Sequence, residues 1–192
     1  MSGAVYDTEW REKAVAGSAA SAEVIVGLVL DAVPARRVVD LGCGLGNWLA
    51  EFRRQGVAEI RGVDGPWFDV EALHIPADCY LVADLGKPLP LDERYDLAVS
   101  LEVGEHLEAS LAGGLVDSLT RLAPVVLFSA AIPGQSGTHH GLLLPLVHLQ
   151  QYDVVRSRPL VLLRKQVLGP VRARLQASGR LGAISRLLPA RL

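Results

Sequence analysis

The feature that most constrains the fold is a glycine-rich turn directly after a short apolar run. The stretch reads VVDLGCGLGNW over residues 38–48 and carries glycines at positions 42, 44 and 46. A β-branched run that ends in glycine predicts a buried strand, and residues 47–56 have the apolar spacing of a helix. A strand, a glycine turn and a helix in this order predict a binding site for a ligand of the nucleotide type.

The same alternation of strand and helix continues along the chain. Residues 18–33 form a predicted helix that ends at Pro34, and residues 105–123 form another. Short apolar runs predict five strands, at 36–42, 58–65, 79–85, 95–103 and 125–132, and residues 152–157 and 160–165 are candidates for two final strands. Such alternation predicts an α/β fold, a doubly wound and mostly parallel sheet with helices on both faces.

The chain length and the charge distribution predict one domain with a distinct tail. The 192 residues are 50% hydrophobic and 21% charged, as expected for one globular domain, which we place at residues 1–165. Residues 166–192 form an Arg/Leu-rich tail that we expect to be helical. Residues 1–150 have a net charge of −10, whereas residues 151–192 have a net charge of +8.

The basic tail allows two interpretations. It can pack on the acidic body as an ordinary surface helix, or it can make peripheral contact with anionic lipid as an interfacial amphipathic helix. Nucleic acid is not an expected partner, because the tail has no aromatic side chain for base stacking. The two cysteines do not suggest a disulfide framework, and the N-terminal residues do not resemble a signal peptide, so we expect a cytoplasmic location.

The identity of the ligand is indicated by Asp40, two residues before the first glycine. A dinucleotide fingerprint reads G-x-G-x-x-G, whereas this turn reads G-x-G-x-G and has Asn47 where the third fingerprint glycine would stand. A carboxylate directed at the turn would repel a pyrophosphate and would favour a ligand with cationic groups. S-adenosylmethionine carries a sulfonium and an amino group and has no phosphate.

Two further carboxylates follow successive strands and fit the same ligand. Asp64 ends the second predicted strand, where it can accept the ribose hydroxyls, and Asp84 ends the third, within reach of the adenine amino group. Each could instead be a helix cap or a turn residue. Their order along the strand ends favours the ligand interpretation.

The segments VVDLGCGLGNW, IRGVDG, VADL and YDLAVSLEVGEHL together resemble the class I, Rossmann-like S-adenosylmethionine-dependent methyltransferases, over roughly residues 20–132. The resemblance implies a seven-stranded sheet with an active site over the strand ends. It also implies a donor site in which Asp40 and the glycine turn hold the methionine part, Asp64 the ribose and Asp84 the adenine. The expected donor-binding residues are Asp40, Gly42, Cys43, Gly44, Gly46, Asp64, Gly65, Asp84, Leu85, Leu101 and Glu102.

The segment LEVGEHLEAS indicates a second site, on the acceptor side. It resembles the E-x-x-E-H arrangement of metal-dependent O-methyltransferases, so Glu102, Glu105 and His106, with His140, are expected ligands of Mg²⁺ or Mn²⁺. Metal-free class I methyltransferases also contain this motif. There, the Glu and His can cap the helix or bond the pocket backbone, or a histidine, His106, His139 or His140, can act as general base without a metal. The expected catalytic residues are Glu105, His106 and His139.

The resemblance weakens beyond His140. The related bacterial small-molecule methyltransferases continue with a polar segment that contains tryptophan, whereas this chain continues GLLLPLVHLQ. The donor side therefore looks intact and the C-terminal, acceptor side divergent. We expect a methyltransferase that acts on a small molecule, more readily at a hydroxyl oxygen than at nitrogen. The alternative is a decayed protein that binds the donor without turnover, and a nicotinamide-dependent oxidoreductase is disfavoured by Asp40 and Asn47.

Overall fold

The structure is a computed structural model that describes residues 8–130, 153–157 and 160–164. Of residues 8–17, 20, 109, 153–157 and 160–164 only the backbone is described. The helices are α1 (Thr8–Ala32), α2 (Asn47–Arg54) and α3 (Ala109–Leu122), and the strands are β1 (Arg37–Leu41), β2 (Glu59–Asp64), β3 (Tyr80–Val82), β4 (Leu97–Leu101), β5 (Val125–Ser129), β6 (Asp153–Ser157) and β7 (Leu160–Arg164).

The strands form one sheet in the order β3-β2-β1-β4-β5-β7-β6. Strands β1 to β5 are parallel to one another, and β7 lies antiparallel between β5 and β6. The expected doubly wound, mostly parallel sheet is therefore confirmed, and so are the two final strands. The chain order reverses between β1 and β4, and ligands of such sheets bind where the order reverses, beyond the carboxyl ends of the strands.

Two hydrophobic layers cover the two faces of the sheet. Helices α1 and α2 pack on one face, where Val26, Leu49 and Phe52 are fully buried. Helix α3 packs on the other face with Leu115 and Leu119 in its core. Because β1 is paired on both sides and covered on both faces, its residues Val38, Val39 and Leu41 are 0% exposed.

The helix that follows the glycine turn ends where the sequence predicts a stop. Gly56 adopts a left-handed φ of 101°. Its N–H donates to the carbonyl of Arg53, and the N–H of Val57 donates to the carbonyl of Phe52. These two bonds form a Schellman motif, which satisfies the last carbonyls of the helix and turns the chain toward β2.

Some predicted boundaries are wrong. Helix α1 begins at Thr8, ten residues before the predicted start, and the helix predicted at 105–123 begins only at Ala109. Residues Gly104–His106 form a separate 3-10 turn, because the backbone of Leu107 and Glu108 is extended and interrupts the helix.

The tail at 166–192 and the loop at 133–141 lie outside the described residues. Within the described ranges, no helix is long and apolar enough to span a bilayer.

Candidate functional site

The loops after β1 and β4 meet at the point where the strand order reverses. Gly42 follows β1 with a φ of 89°. Val103 follows β4, and its side chain packs against the α-carbon of Gly42. A Cβ atom on Gly42 would lie 2.3 Å from the Val103 Cγ2 atom. Glycine is required here both by the left-handed backbone and by this close approach. The contact fixes the first residue of the turn against the neighbouring loop.

The glycine turn is held by backbone hydrogen bonds. The N–H groups of Gly42 and Cys43 both donate to the carbonyl of Val63 in β2, at 2.8 and 3.3 Å. The N–H of Gly46 donates to the carbonyl of Cys43 at 2.9 Å, and Gly46 precedes α2 with a φ of 85°. Cys43 is buried and free, and burial raises the pKa of its thiol above the ordinary range. Its role is packing, against the backbone of Gly62.

Asp64 links the turn to β2 through its carboxylate. One carboxylate oxygen accepts the N–H of Gly44 at 2.7 Å, and the other accepts the N–H of Gly65 at 2.7 Å. Burial raises the pKa of Asp64, whereas these two hydrogen bonds oppose that rise. A carboxylate has about four acceptor positions. Asp64 can therefore hold the turn and still accept a ligand hydroxyl.

Asp40 is the buried carboxyl of the site. It lies in β1, paired with Gly62 and Val99, and is 2% exposed. Burial and the nearby charge of Asp64 raise its pKa to about 8. A cation beside Asp40 would restore the ionised form, because an opposite charge lowers the pKa of a carboxyl. The pair of Asp40 and Asp64 makes the site attractive to a cationic ligand.

A segment after β2, residues 65–76, crosses the glycine turn. The N–H of His74 donates to the carbonyl of Leu45 at 2.8 Å, and the imidazole of His74 contacts the Asn47 amide oxygen. Asn47 in turn donates to the hydroxyl of Ser18 in α1 at 2.6 Å. Asn47 therefore acts as a connector between α1, α2 and this segment.

An aromatic side chain from the same segment covers the residue beside Asp64. The Trp67 indole lies so close to Gly65 that a Cβ atom there would be 2.0 Å from its Nε1 atom, yet Trp67 remains 46% exposed. The carbonyl of Gly65 accepts a hydrogen bond from the Tyr80 hydroxyl at 3.1 Å. The expected donor-binding residue Gly65 thus lies between a tryptophan and a tyrosine.

Asp84 lies two residues beyond the end of β3 rather than at it. Its carboxylate accepts the N–H of Gly86 at 2.9 Å and pairs with the Lys87 ammonium at 3.1 Å. The hydrogen bond from Gly86, followed by the bond with Lys87, lowers the pKa of Asp84. These are the contacts of a turn residue. The following Leu85 is partly buried against the core beneath α3.

Two buried serines hold the carboxyl ends of the central strands together. The Ser100 hydroxyl in β4 donates to the carbonyl of Leu41 at 2.9 Å, and the carbonyl and hydroxyl of Ser129 in β5 accept the N–H of Glu102 at 3.0 and 3.2 Å. Leu101 is partly buried against the core. Glu102 itself is exposed and has a φ of 57°, the only left-handed non-glycine residue among the described residues.

The expected metal site is not formed by the described residues. Glu105 is 1% exposed and His106 is half-buried, both in the 3-10 turn, whereas Glu102 is exposed before it. Across residues 8–130 and the last two strands, no group of three or more His, Cys, Asp or Glu side chains is arranged to hold a metal. Glu102 has a left-handed φ of 57° and lies outside the 3-10 turn that contains Glu105. The expected fourth ligand of Mg²⁺ or Mn²⁺, His140, lies outside the described residues, and so does His139.

Three residues that shape the site were missed by the sequence interpretation. Ser100 was signalled by a polar residue within the apolar run LAVSL, which becomes a buried hydrogen-bond donor. Trp67 was signalled by its place just after Asp64 and Gly65. Val103 had no signal, because its contact with Gly42 arises from strand order and not from local sequence.

Comparisons with known proteins agree with this fold. The family described as "Methyltransferase domain" matches residues 17–155. An O-methyltransferase family protein from Burkholderia thailandensis has a similar fold, with a TM-score of 0.60 and 16% identity over 85% of this chain and 62% of that one. The chain therefore spans less than two thirds of that protein's length. No curated protein matches the sequence significantly.

Two other solved structures share the fold. Magnesium protoporphyrin IX methyltransferase (ChlM) from Synechocystis PCC 6803, with bound S-adenosylmethionine, has a TM-score of 0.56 and 20% identity over 79% of this chain and 81% of that one. Small RNA methyltransferase HEN1 has a TM-score of 0.55 and 16% identity over 74% of this chain and 25% of that one. The family match covers most of the chain, and the chain belongs to the methyltransferase domain family, the class I S-adenosylmethionine-dependent methyltransferases.

Proposed function

We propose that this methyltransferase binds S-adenosylmethionine over the glycine turn and transfers its methyl group to a hydroxyl oxygen of a small molecule. The observation that supports it most is the bond between Asp64 and Gly44. The N–H of Gly44 is one of the groups that a pyrophosphate would need at such a turn, and a carboxylate already accepts it at 2.7 Å. A phosphate-containing cofactor would meet two carboxylates instead of free donors.

The donor assignment follows the charges of the ligand. The ammonium and sulfonium groups lie toward Asp40 and the glycines at 42, 44 and 46, because the buried carboxyl gains most from a cation. The ribose hydroxyls lie toward Asp64. Gly65 and Cys43 complete the surroundings of the donor at this turn. The adenine lies toward Asp84 and Leu85, with Leu101 and Glu102 on the pocket floor between β1 and β4.

Methyl transfer requires alignment more than chemical activation. The sulfonium is already a strong electrophile, so the protein has to place the acceptor oxygen in line with the methyl group and the sulfur. If the acceptor is a hydroxyl, its proton must be removed. His106 is our candidate for the general base, positioned by the turn that contains Glu105, and His139 is a second candidate.

The donor part of the proposal is tested by calorimetric titration with S-adenosylmethionine. The wild type and an Asp96→Asn control should bind it, whereas Asp40→Asn and Asp64→Asn should bind it at least about tenfold more weakly. Asp96 is a suitable control because its carboxylate accepts the N–H groups of Arg36 and Arg37 at 2.8 and 2.9 Å, at the other end of β1. Equal binding by all four proteins would refute the donor assignment.

The acceptor part is tested by turnover of the donor to S-adenosylhomocysteine with a pool of hydroxylated small molecules. We expect His106→Gln and Glu105→Gln to bind the donor normally and to lose most turnover, roughly 100-fold for a missing general base. Full turnover in both variants would exclude these residues. Donor binding without turnover by any pool would favour a decayed protein that only binds the donor, the alternative suggested by the divergent sequence after His140.

The remaining expectations complete the proposal. Residues 1–165 would form the catalytic domain, in a cytoplasmic setting, and residues 166–192 a basic helical tail. The tail would pack on the acidic body or make peripheral contact with anionic lipid. Limited proteolysis followed by mass spectrometry tests the boundary, because an independent tail should be cleaved near residue 165 while the domain remains intact and binds the donor.

A further inference from the structure

Two neighbouring aromatic side chains lie close to the two glycines that bind Asp64. One oxygen of the Asp64 carboxylate accepts the N–H of Gly44, and the other accepts the N–H of Gly65, both at 2.7 Å. The Trp67 indole occupies the place where a Cβ atom on Gly65 would stand. The Cζ atom of Phe68 lies 4.0 Å from the corresponding place on Gly44. Each glycine that Asp64 holds is therefore next to an aromatic ring.

These two contacts face different parts of the proposed donor. In the proposed orientation, the methionine part is directed toward the glycine turn with Gly44, and the ribose hydroxyls toward Asp64. The ribose of S-adenosylmethionine joins the methionine part to the adenine, so the adenine continues beyond Asp64, away from Gly44. Gly65 is on that side, because it binds the second oxygen of the carboxylate. The Trp67 indole is thus the aromatic ring nearest to the base, and Phe68 is the one nearest to the methionine part.

The Trp67 side chain is in contact with the backbone on one side and open to solvent on another. The indole atoms nearest to Gly65 are Nε1, Cε2 and Cζ2, so the nitrogen-bearing part of the ring system lies against the glycine. The side chain nevertheless remains 46% exposed, although tryptophan is highly buried on average. An exposed aromatic ring beside a nucleoside site is suited to stacking on a base, because every base has a π face.

The carboxylate on the same side provides little binding energy for the base. Asp84 is exposed, and its carboxylate accepts the N–H of Gly86 at 2.9 Å and pairs with the Lys87 ammonium at 3.1 Å. Water competes for an exposed carboxylate, so one more hydrogen bond from a base adds a small net gain. Affinity for the base then depends on an apolar or aromatic contact, which the Trp67 indole offers.

We infer that Trp67 binds the adenine of the donor by stacking, and that Gly65 is needed because its missing side chain admits the indole. The inference rests on the proposed function, since it concerns the same donor site. It adds to that site a residue that the spacing of the glycines and carboxylates did not indicate. It requires an aromatic side chain at position 67 and no side chain at position 65.

Matched variants test the requirement at position 67. The full chain is titrated calorimetrically with S-adenosylmethionine and with S-adenosylhomocysteine, which has the same adenosine part and no sulfonium. Trp67→Ala should bind both roughly tenfold more weakly, and Trp67→Phe, which keeps an aromatic face, should stay within about threefold of the wild type. Val70→Ala is the control, because Val70 is in the same segment and is 52% exposed. Circular dichroism verifies that each variant is folded. Wild-type affinity of Trp67→Ala, or an equal loss in Val70→Ala, would overturn the inference.

Tryptophan fluorescence reports the stacking directly. The chain has three tryptophans, at positions 10, 48 and 67, and stacking on a base quenches the emission of an indole. Trp48 is partly buried against the core beneath α1 and α2. We expect S-adenosylhomocysteine to quench the emission of the wild type and to leave that of Trp67→Phe nearly unchanged, although this variant still binds in the calorimeter. Quenching that persists in Trp67→Phe would come from another tryptophan and would contradict stacking on Trp67.

A double-mutant cycle tests the requirement at position 65. Gly65→Ala places a Cβ atom where the indole lies, so it should displace Trp67 and weaken binding several-fold, on the order of the Trp67→Ala effect. The double variant should bind no more weakly than Trp67→Ala, because no indole is left to displace. Losses that add in the double variant would show that Gly65 acts independently of Trp67 and would contradict the inference.

The failure of this inference is distinguishable from that of the proposed function. A wild type that binds neither S-adenosylmethionine nor S-adenosylhomocysteine would refute the donor assignment, and the role of Trp67 with it. A wild type that binds both, together with a Trp67→Ala variant of equal affinity, would refute the role of Trp67 alone.

Discussion

Val103 packs against the α-carbon of Gly42, closely enough that a Cβ atom at residue 42 would lie 2.3 Å from the valine Cγ2 atom. The two residues follow β1 and β4, the neighbouring strands between which the chain order reverses. Their contact positions the start of the glycine turn against the loop that leads to Glu105 and His106. The proposed donor side and the proposed acceptor side of the site are thus joined at one point.

Gly42→Ala should destabilise the protein by roughly 2–4 kcal/mol, because the new Cβ meets Val103 and the left-handed backbone disfavours any side chain. Denaturant unfolding followed by circular dichroism measures the change. Gly114→Ala is the matched control, since Gly114 lies in α3 with no atom within 4 Å of its added Cβ, and it should stabilise by about 0.5–1 kcal/mol. Recovery of part of the loss by Gly42→Ala with Val103→Ala would assign it to the contact. Equal stability of both single variants would refute this interpretation.

Asp40 should make the free protein less stable as the pH rises. Its pKa is raised to about 8 in the fold and is 3.8 in a model compound, so between these values the folded state holds the proton that the unfolded state has lost. The stability contribution is therefore complete below pH 4 and is lost as the pH rises to 8. Asp40→Asn should be more stable than the wild type at pH 8, by about 1–3 kcal/mol, and nearly equal to it at pH 4. Unfolding at both values checks this, and a pH-independent difference would contradict it.

Donor binding should release a proton below pH 8. In the free protein Asp40 is mostly protonated at pH 7, and the cationic groups of S-adenosylmethionine favour its ionised form. The affinity should rise with pH, by up to about tenfold per unit, and should level off near pH 8. Calorimetry at pH 7 in two buffers with different heats of ionisation counts the released protons. Buffer-independent heats in the wild type would mean that Asp40 does not face the cationic part of the donor.

Glu102 allows a test of the left-handed backbone after β4. Glu102→Asn should change the free energy of unfolding by less than about 0.5 kcal/mol, because asparagine tolerates this conformation. Glu102→Val should cost roughly 1–2 kcal/mol, since a β-branched side chain does not. The Glu102 side chain is exposed, so neither substitution changes the amount of buried surface appreciably. Similar stabilities of the two variants would show that the φ of 57° is not a constraint on this residue.

The sequence was sufficient to predict the sheet and the glycine turn. Short runs rich in apolar residues, such as RVVDL, mark the buried strands, and alternation with helices implies that they are parallel. Gly42 and Gly46, whose φ angles are positive, were visible from their spacing. The placement of Asp64 beside this turn followed from the end of β2, and the structure adds its bond to Gly44.

The acceptor side could not be predicted equally well. The motif E-x-x-E-H suggested a cluster of ligands, yet the Glu102 carboxylate is exposed and the Glu105 carboxylate is buried. Asp84 was expected at the end of β3, but the strand stops at Val82 and the carboxylate caps its own turn. Both differences come from local backbone geometry, which side-chain spacing alone does not specify.

The bond from the Ser100 hydroxyl to the carbonyl of Leu41 spans 59 residues of sequence. Strand β1 is therefore synthesised long before the partner that fixes its carboxyl end. During translation, the glycine turn can reach its final form only after β4 has left the ribosome and paired with β1. A chain interrupted between β2 and β4 would expose an apolar strand edge, so the nascent protein is most prone to aggregation in that interval.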